Sequence, residues 1–587
     1  MKKFLQKLKE DKVVHYILII LAALISAIPL INLRIYGTDD GLVHILRILG
    51  VDSIIKLGEI PPYIYSKFCN GFGYAINVFY PPIVTFIPLI FKLFTTHYYT
   101  CLKIYSLITI LVSGFSMYKL VEEISERREI ALISAIVYIF IPYKMATMYN
   151  RFAIGEFSAY MFLPLVFLGL YNLLNKDAKK HYYITIGAVG LLLTHTITTE
   201  YTAIFCLIYV LLNFKKLKNK EIIKKILINV IFVLLISAFF LIPLLEYKSY
   251  ADYIIFSSET MLATGENVAG TALKPIQLFK DIDPNGVSFK LGGTFIILSI
   301  LGIFTYRKMK KEYKGTYLTF LLIALVSLFM STKYFPWRYM PDILCKLQFA
   351  WRMLLFFEFS MSILIAFNLY TLITILTTNK KEYLSGLLLL SSIALIILTM
   401  QQINYDYRYE EKKNLSDEEY EQWAESQEKL SYLLINRDYL PIKSMNPDRE
   451  FIKNREDRVY VISENATIEN ENKNHLNLTF TIKNAKQNTV LELPYLYYPG
   501  YEVKIKTNNS ENKIDVFESE HGFIAIKIPE YTEIAEVSVE YKGTALEKVS
   551  VVISLIAIIS FITYVIYSKR KDKLYEGKYS ETKKQNI

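Results

Sequence analysis

Apolar segments of about 20 residues, the length needed to cross the hydrocarbon core of a bilayer, recur in this chain from Val13 to Tyr567. No other feature restricts the fold as strongly, because backbone polar groups in lipid are satisfied only within helices or a closed barrel. Composition agrees: 53% of the 587 residues are hydrophobic and 14% aromatic, with a mean hydropathy of +0.29. A soluble enzyme is therefore disfavoured. The net charge of +11 does not indicate nucleic acid, since Lys and Arg gather in short clusters between apolar spans, where they act as topology signals. Cys69, Cys101, Cys206 and Cys345 are widely separated and mostly in or beside apolar spans, which gives neither a disulfide framework nor a zinc knuckle. The basic stretch 1–12 precedes an apolar run longer than a signal-peptide core of roughly 7–15 residues, so it reads as the start of an uncleaved first helix.

Basic clusters at 2–12, 176–180, 215–225, 307–314, 380–381 and 569–573 are assigned to the cytoplasm. Spans are then predicted at about 13–33, 100–120, 130–148, 156–175, 181–196, 199–214, 222–246, 290–306, 315–332, 349–377, 384–400 and 547–567, twelve in all. Segment 80–94 is also apolar, but it is short and carries Pro81, Pro82 and Pro88. It reads as a juxtamembrane or re-entrant element, and counting it as a span would invert the clusters downstream. The expected fold is mainly α: a polytopic transmembrane helical bundle over 1–400, with a first external loop at 34–99 and a second at 247–290. An extracytoplasmic α+β domain at 401–546, a final transmembrane helix at 547–567 and a basic, disordered cytoplasmic tail at 568–587 complete it. Both termini are placed in the cytoplasm and the protein in the cell membrane.

Within 401–546, Ser416 and Glu419 have capping-box spacing, and Tyr420, Trp423, Leu430 and Leu434 recur at near-helical intervals. After Arg458 the period becomes two: Leu476, Leu478, Phe480 and Ile482 alternate with polar residues, as do Ile524, Ile526 and Ile528, then Val537, Val539 and Tyr541. This predicts an antiparallel, β-sandwich-like domain.

Asp39 and Asp40 lie just beyond the first span. If the chain is helical from Gly41, then Asp40, His44 and Arg47 share one face, an arrangement able to deprotonate a hydroxyl and hold an anion. The plainer reading is a hydrated helix start with Asp39 or Asp40 as its cap. Arg151 and Glu156 fall in a short external turn, His195 flanks the next, Glu246 ends a span outside, and Trp351 and Arg352 begin one there. Each has a structural reading alone, such as an ion pair for Arg151 with Glu156. Together they populate one side of the membrane, where ionisable groups are expensive and usually functional, and so suggest a single polar cavity. No Walker lysine, dinucleotide fingerprint or HExxH spacing is present, which disfavours an ATP-driven pump and a zinc centre. Asp39 with Asp40 could offer hard oxygen ligands to a divalent cation.

The pieces TDDGLVHILRI, LGEIPPYIY, NGFGYAINVFYPP, YNRFAIGEFSAYMFLPL, LLLTHTITTEY, FFLIPLLEY, LQFAWRMLL and LPYLYYPGYEVKI span most of the chain from Tyr36 to Ile505. In this order they resemble the bacterial and archaeal membrane family labelled 6-pyruvoyl-tetrahydropterin synthase-related, and its YfhO-like neighbours. The label's own activity does not fit, since the soluble synthase needs a three-histidine zinc site. The resemblance implies the GT-C superfamily of glycosyltransferases, which take sugar from a polyprenyl-phosphate carrier outside the cytoplasm using an acidic residue in the first external loop. By position Asp40 matches that acid, His44 the histidine after it, Arg151 and Glu156 an RxxxxE-like pair, and His195 a buried histidine. Glu246 matches an acid ending a span, and Arg352 the arginine of a QFxWR-like piece. Ala350 departs from the proline common in relatives, and the adjacent Asp39 leaves open which carboxylate is the base.

The leading expectation is a lipid-carrier-dependent glycosyltransferase with Asp40 as base and Asp39 assisting or holding a cation. Arg352, Arg151 and Arg47 would bind the carrier phosphate, with His44, His195 and Glu156 orienting groups. Expected partners are the lipid bilayer, a polyprenyl-phosphate-linked sugar and an envelope glycan, polymer or protein acceptor presented by the external domain. A transporter or flippase of lipid-linked saccharides would also want an outward polar cavity, and a non-catalytic envelope scaffold would use the external domain alone.

Overall fold

The computed structural model describes residues 6, 11–58, 63–176, 180–256, 264–282, 287–378, 383–400, 416–427, 429–430, 437–445, 451–463, 466–507 and 510–585, with side chains to Arg570. Most of the basic cluster at 2–12, that at 380–381, part of that at 176–180, and Leu434 lie outside the described residues.

The chain is mainly helical. Among the described residues six helices are long and apolar enough to cross a membrane: Tyr98–Ser125, Ile154–Asn175, Lys311–Ser331, Ala350–Thr377, Tyr383–Met400 and Ala545–Arg570. Two bent pairs add to these, Arg128–Ile139 with Pro142–Asn150 at 41° and Lys220–Ile236 with Ala238–Tyr250 at 68°, giving up to eight spans where the sequence predicts twelve. The difference lies in length. Each predicted segment contains helix, but Lys12–Ser26, Tyr183–Leu192 and Thr196–Leu212 are short, and at 1.5 Å per residue a 15-residue helix reaches about 22 Å of a core of about 30 Å. The predicted span at 290–306 is divided into Gly293–Ile300 and Gly302–Thr305. Ile83–Ile90, within the proline-rich segment, is shorter still. Leu555, Ile556, Ile559 and Ile562 of the final helix are exposed, an apolar surface suited to lipid. That helix runs on to Gln585, which corrects the expectation of an irregular tail, since Lys, Arg and Glu favour helix.

Among the described residues beyond Arg458 nine strands form two sheets, every pairing antiparallel. One has the order β1 (Tyr460–Ser463), β4 (Val490–Leu496), β8 (Phe523–Lys527), β7 (Val516–Glu518). The other has the order β2 (Thr467–Asn474), β3 (Asn477–Ala485), β9 (Thr532–Tyr541), β5 (Tyr501–Lys506), β6 (Glu511–Ile514). The period of two holds in β3, whose buried Leu478, Phe480 and Ile482 sit opposite Val539, Val537 and Ala535. In β8 it does not: Phe523, Ile524, Ala525 and Ile526 are all buried, so both faces of that strand are covered. Phe72 of the first loop packs edge-on against Phe523 at 5.1 Å. The same loop is hydrogen-bonded into this region, Leu496 N–H donating to Phe72 O at 3.0 Å and Asn70 N–H to Leu430 O at 2.9 Å. The boundary at 401 therefore divides the chain in sequence and not in space.

The helix Asp417–Ser426 carries the predicted capping box of Ser416 and Glu419. Its Asp417 carboxylate accepts the N–H groups of Ile35 (3.0 Å) and Tyr36 (3.1 Å), and Tyr420 stacks on Tyr36 at 4.9 Å. The helix thereby pins the turn that leads into Asp39 and Asp40. Thr38 Oγ1 closes the turn by donating to Ile35 O at 2.6 Å and accepting Gly41 N–H at 3.1 Å. A Cβ on Gly41 would lie 1.8 Å from Ile35 O and 2.4 Å from Thr38 Oγ1, so this turn closes only on glycine. Gly41→Ala is expected to destabilise the protein by at least about 2 kcal/mol, whereas Gly293→Ala, with nothing within 4 Å of the added Cβ, should be neutral or stabilising. Thermal unfolding of the two variants in detergent checks this; equal melting points would contradict it.

Candidate functional site

Asp40 occupies the N-cap position of the helix Gly41–Lys56, yet its side chain makes no capping bond. Thr38 has taken that role. The carboxylate is left facing Arg151, whose Nη2 lies 3.8 Å from Asp40 Oδ2, and the Asp40 side chain remains 44% exposed. Asp40 N–H donates to Arg151 O at 2.8 Å, tying the two segments together. The carboxyl is reachable from solvent but crowded by protein, and this desolvation raises its pKa above that of ordinary aspartate, outweighing the lowering effect of Arg151 and Arg352. Asp39 is exposed beside it and adds repulsion.

Arg151 is aimed by an irregular backbone. Pro142 lacks an N–H and opens the second half of a bent helix pair. Both carboxyl oxygens of Glu358 accept Tyr143 N–H, at 3.0 Å each, satisfying a donor that a helix start leaves free. The half-helix ends in a π-turn over Ala146–Asn150, a form frequent at functional sites. Phe152 then adopts a left-handed φ of 52°, held by a buried ring against Phe157 at 5.5 Å. This reversal returns the chain so that Glu156, in the first turn of Ile154–Asn175, faces Arg151.

Glu156 is 1% exposed and accepts three donors: Tyr143 Oη at 2.5 Å, Arg151 Nη1 at 3.0 Å and Arg352 Nε at 3.3 Å. Arg352 is held further by Leu347 O at 2.9 Å and Gln348 Oε1 at 2.7 Å. Both guanidiniums lie near the Phe349 ring, at 5.9 Å for Arg151 and 4.9 Å for Arg352. Two cations thus share one buried anion, and the excess positive charge points to Asp40. An anionic group entering beside Asp40 would meet donors already oriented, the geometry that suits arginine to phosphate.

His195 joins this wall. It caps Thr196–Leu212, its Nδ1 accepting Thr198 N–H at 3.3 Å, which leaves the proton on Nε2. Gly155 brings it close: a Cβ there would lie 3.2 Å from both His195 Cδ2 and Tyr80 Oη. His44 and Arg47 do share a helix face, but both are buried and pack on Tyr80. His44 meets the Tyr80 ring edge-on at 5.8 Å, and burial holds its pKa well below the usual value, so it is neutral. Arg47 stacks on Tyr80 at 3.9 Å and donates to Pro81 O at 3.4 Å, which corrects its expected place at the phosphate. Glu246 also lies elsewhere. Its Oε2 accepts Thr544 Oγ1 at 2.7 Å, where the bent helix Ala238–Tyr250 packs on the start of the final helix.

Among the described residues no group of three or more His, Cys, Asp or Glu could hold a metal ion. Asp39 and Asp40 provide two carboxylates, and the Arg151 cation already faces one of them. Sequence reasoning missed Tyr143 and Glu358. Glu358 carried a signal, a lone ionisable residue inside an apolar run; Tyr143, next to Pro142, carried none.

Removing the Glu156 charge leaves two buried guanidiniums sharing no anion. Glu156→Gln is expected to destabilise by about 3–5 kcal/mol, and Asp40→Asn, at the accessible mouth, by about 1 kcal/mol or less. Unfolding in mixed micelles measures both, and a reversed order would refute this division of roles.

No family model matches the chain. Along 97% of its length it is similar, at 24% identity over 605 aligned residues, to an uncharacterized protein of Lactococcus lactis subsp. cremoris (strain MG1363), 98% of which is covered. The similarity therefore takes in both the helices and the sheet region.

Proposed function

We propose that this protein is a membrane glycosyltransferase of the GT-C type, moving a sugar from a polyprenyl-phosphate carrier to an envelope acceptor on the outer face of the cell membrane. The observation that carries this reading is the Asp40 carboxylate, spared from helix capping and set 3.8 Å from a guanidinium of the Arg151, Glu156 and Arg352 cluster. In this scheme Asp40 takes the acceptor hydroxyl proton while the acceptor oxygen bonds to the anomeric carbon. The bond from that carbon to the phosphate oxygen breaks, and its electron pair leaves with the carrier phosphate, whose charge Arg151 and Arg352 stabilise. His195 Nε2–H contacts a sugar hydroxyl, and Tyr80, backed by His44 and Arg47, shapes the wall. The proposal includes twelve spans, with the short helices and the divided segment also crossing. Both termini are then cytoplasmic and the two sheets form a sandwich outside.

A transporter of lipid-linked saccharides is the second reading, favoured by the two bent helix pairs, since discontinuous helices line many transport sites. It predicts carrier movement without sugar transfer.

Asp40→Asn should lower transfer by about 10² to 10⁴, assayed with purified protein and lipid-linked donor extracted from the native membrane. Because the Asp40 pKa is raised, wild-type activity should fall as pH drops through a point above the ordinary aspartate value of about 3.9, as the base becomes protonated. Full activity in Asp40→Asn would exclude the base assignment and favour the transporter.

A further inference from the structure

The helix Ala350–Thr377 starts at the Arg352 and Glu156 cluster and carries a second polar site at its far end. Thr377 follows Arg352 by about seven helical turns, roughly 37 Å at 5.4 Å each, and so lies at the other surface of a bilayer whose core is about 30 Å thick. There a cleft of about 230 Å³ opens between the end of this helix and the starts of Tyr383–Met400 and Arg128–Ile139. Its polar lining includes Arg127, Glu129, Tyr370, Thr374 and Thr377, and the buried Ile373 and Leu389 supply its apolar wall.

The polar groups divide into donors and acceptors. Arg127 is held beside the Tyr313 and Tyr370 hydroxyls, and Tyr313 Oη is itself fixed by donating to Ser125 O at 3.1 Å. Among the described residues neither Arg127 nor Glu129 makes an ion pair, with each other or with a third group, and the Glu129 carboxylate accepts no hydrogen bond. Thr374 and Thr377 direct their hydroxyl hydrogens to the backbone, donating to Tyr370 O and Ile373 O at 2.8 Å each. With Glu129 they therefore offer the cleft acceptors, while the Arg127 guanidinium offers donors.

A simple anion on Arg127 would be repelled by Glu129, and a simple cation on Glu129 by Arg127. A purely apolar occupant would strip water from both charges and replace none of it. A group with a phosphate at one end and a primary ammonium at the other satisfies both sides. Its phosphate accepts from the guanidinium, and its three ammonium N–H bonds point to Glu129, Thr374 and Thr377. The setting is that of a lipid, since Ile375, Leu376 and Leu387, beside the cleft residues in the same two helices, are exposed and give acyl chains an apolar surface.

We infer that this cleft binds the headgroup of a membrane phospholipid whose phosphodiester carries a primary amine, on the bilayer surface opposite Asp40. The site is independent of the chemistry at Asp40. Two membrane lipids supply such a group, phosphatidylethanolamine and lysyl-phosphatidylglycerol.

In the test, full-length protein in detergent is titrated with these two lipids, phosphatidylcholine and phosphatidylglycerol, all with the same acyl chains, and bound lipid is counted by native mass spectrometry. At least one amine lipid should bind about tenfold more tightly than both others, which is about the worth of one hydrogen bond to a charged group. Phosphatidylcholine has no N–H on its ammonium and phosphatidylglycerol has no ammonium. The tighter of the two amine lipids identifies the source. Arg127 is exposed and Glu129 half-buried, so both can be replaced without opening the core. Glu129→Gln should abolish the preference and bind phosphatidylglycerol no more weakly than the wild type does, and Arg127→Gln should weaken all four lipids. If no amine lipid exceeds both others on the wild type, the inference is overturned whether or not the variants fold. If the preference survives intact in Glu129→Gln, the amine is read elsewhere and the assignment to this cleft is wrong.

Discussion

A carboxylate shut away from water stays charged only where cations and hydrogen-bond donors replace its hydration shell, and Glu156 is such a group. Its oxygens are met by two guanidiniums and a phenol. These donors come from three parts of the chain: the half-helix beginning at Pro142, the turn at Arg151 and the segment leading into Leu354–Thr377. Without the shared anion the two arginines would repel each other, and Arg151 would lose the partner that directs it. The anion also sets the charge balance, leaving one positive charge for Asp40 or for a ligand.

The rest of the architecture presents Asp40 to that charge. Asp417 fixes the turn at Ile35 and Tyr36, Thr38 frees Asp40 from capping, and Gly41 lets the chain pass over Ile35 O. On the other side, Glu358 anchors the half-helix start, and the π-turn with left-handed Phe152 reverses the chain. Irregular backbone of this kind persists only where its surroundings over-determine it, here through buried rings and ion pairs. The sheet region contributes directly, because the first loop is built into it through Phe72.

Much of this was legible in the sequence, for reasons of physics. The helical bundle follows from runs of apolar residues, β3 and β9 from their period of two, and the Asp417 helix from its capping box. Arg151, Glu156 and Arg352 stood out because charge at membrane depth demands a reason. What could not be read was direction. Spacing places Asp40, His44 and Arg47 on one helix face, but only tertiary packing turns Arg47 onto Tyr80 and leaves Asp40 at the mouth. Glu246 matched a pattern and lies elsewhere, since the bend at Ser237 carries it to the final helix. Hydropathy registers apolar content and not helix length, so the twelve predicted segments take in helices that are short or divided.

Arg352 and Glu156 act as one unit, and a double-mutant cycle measures this most directly. Glu156→Gln, Arg352→Gln and the double variant would be unfolded reversibly in mixed micelles. The double variant is predicted to be destabilised by clearly less than the sum of the singles, with a coupling of about 2 kcal/mol or more, because removing Arg352 as well relieves the repulsion that Glu156→Gln leaves between the two guanidiniums. Additive effects, within about 0.5 kcal/mol, would show that the two side chains are independent and would contradict the account.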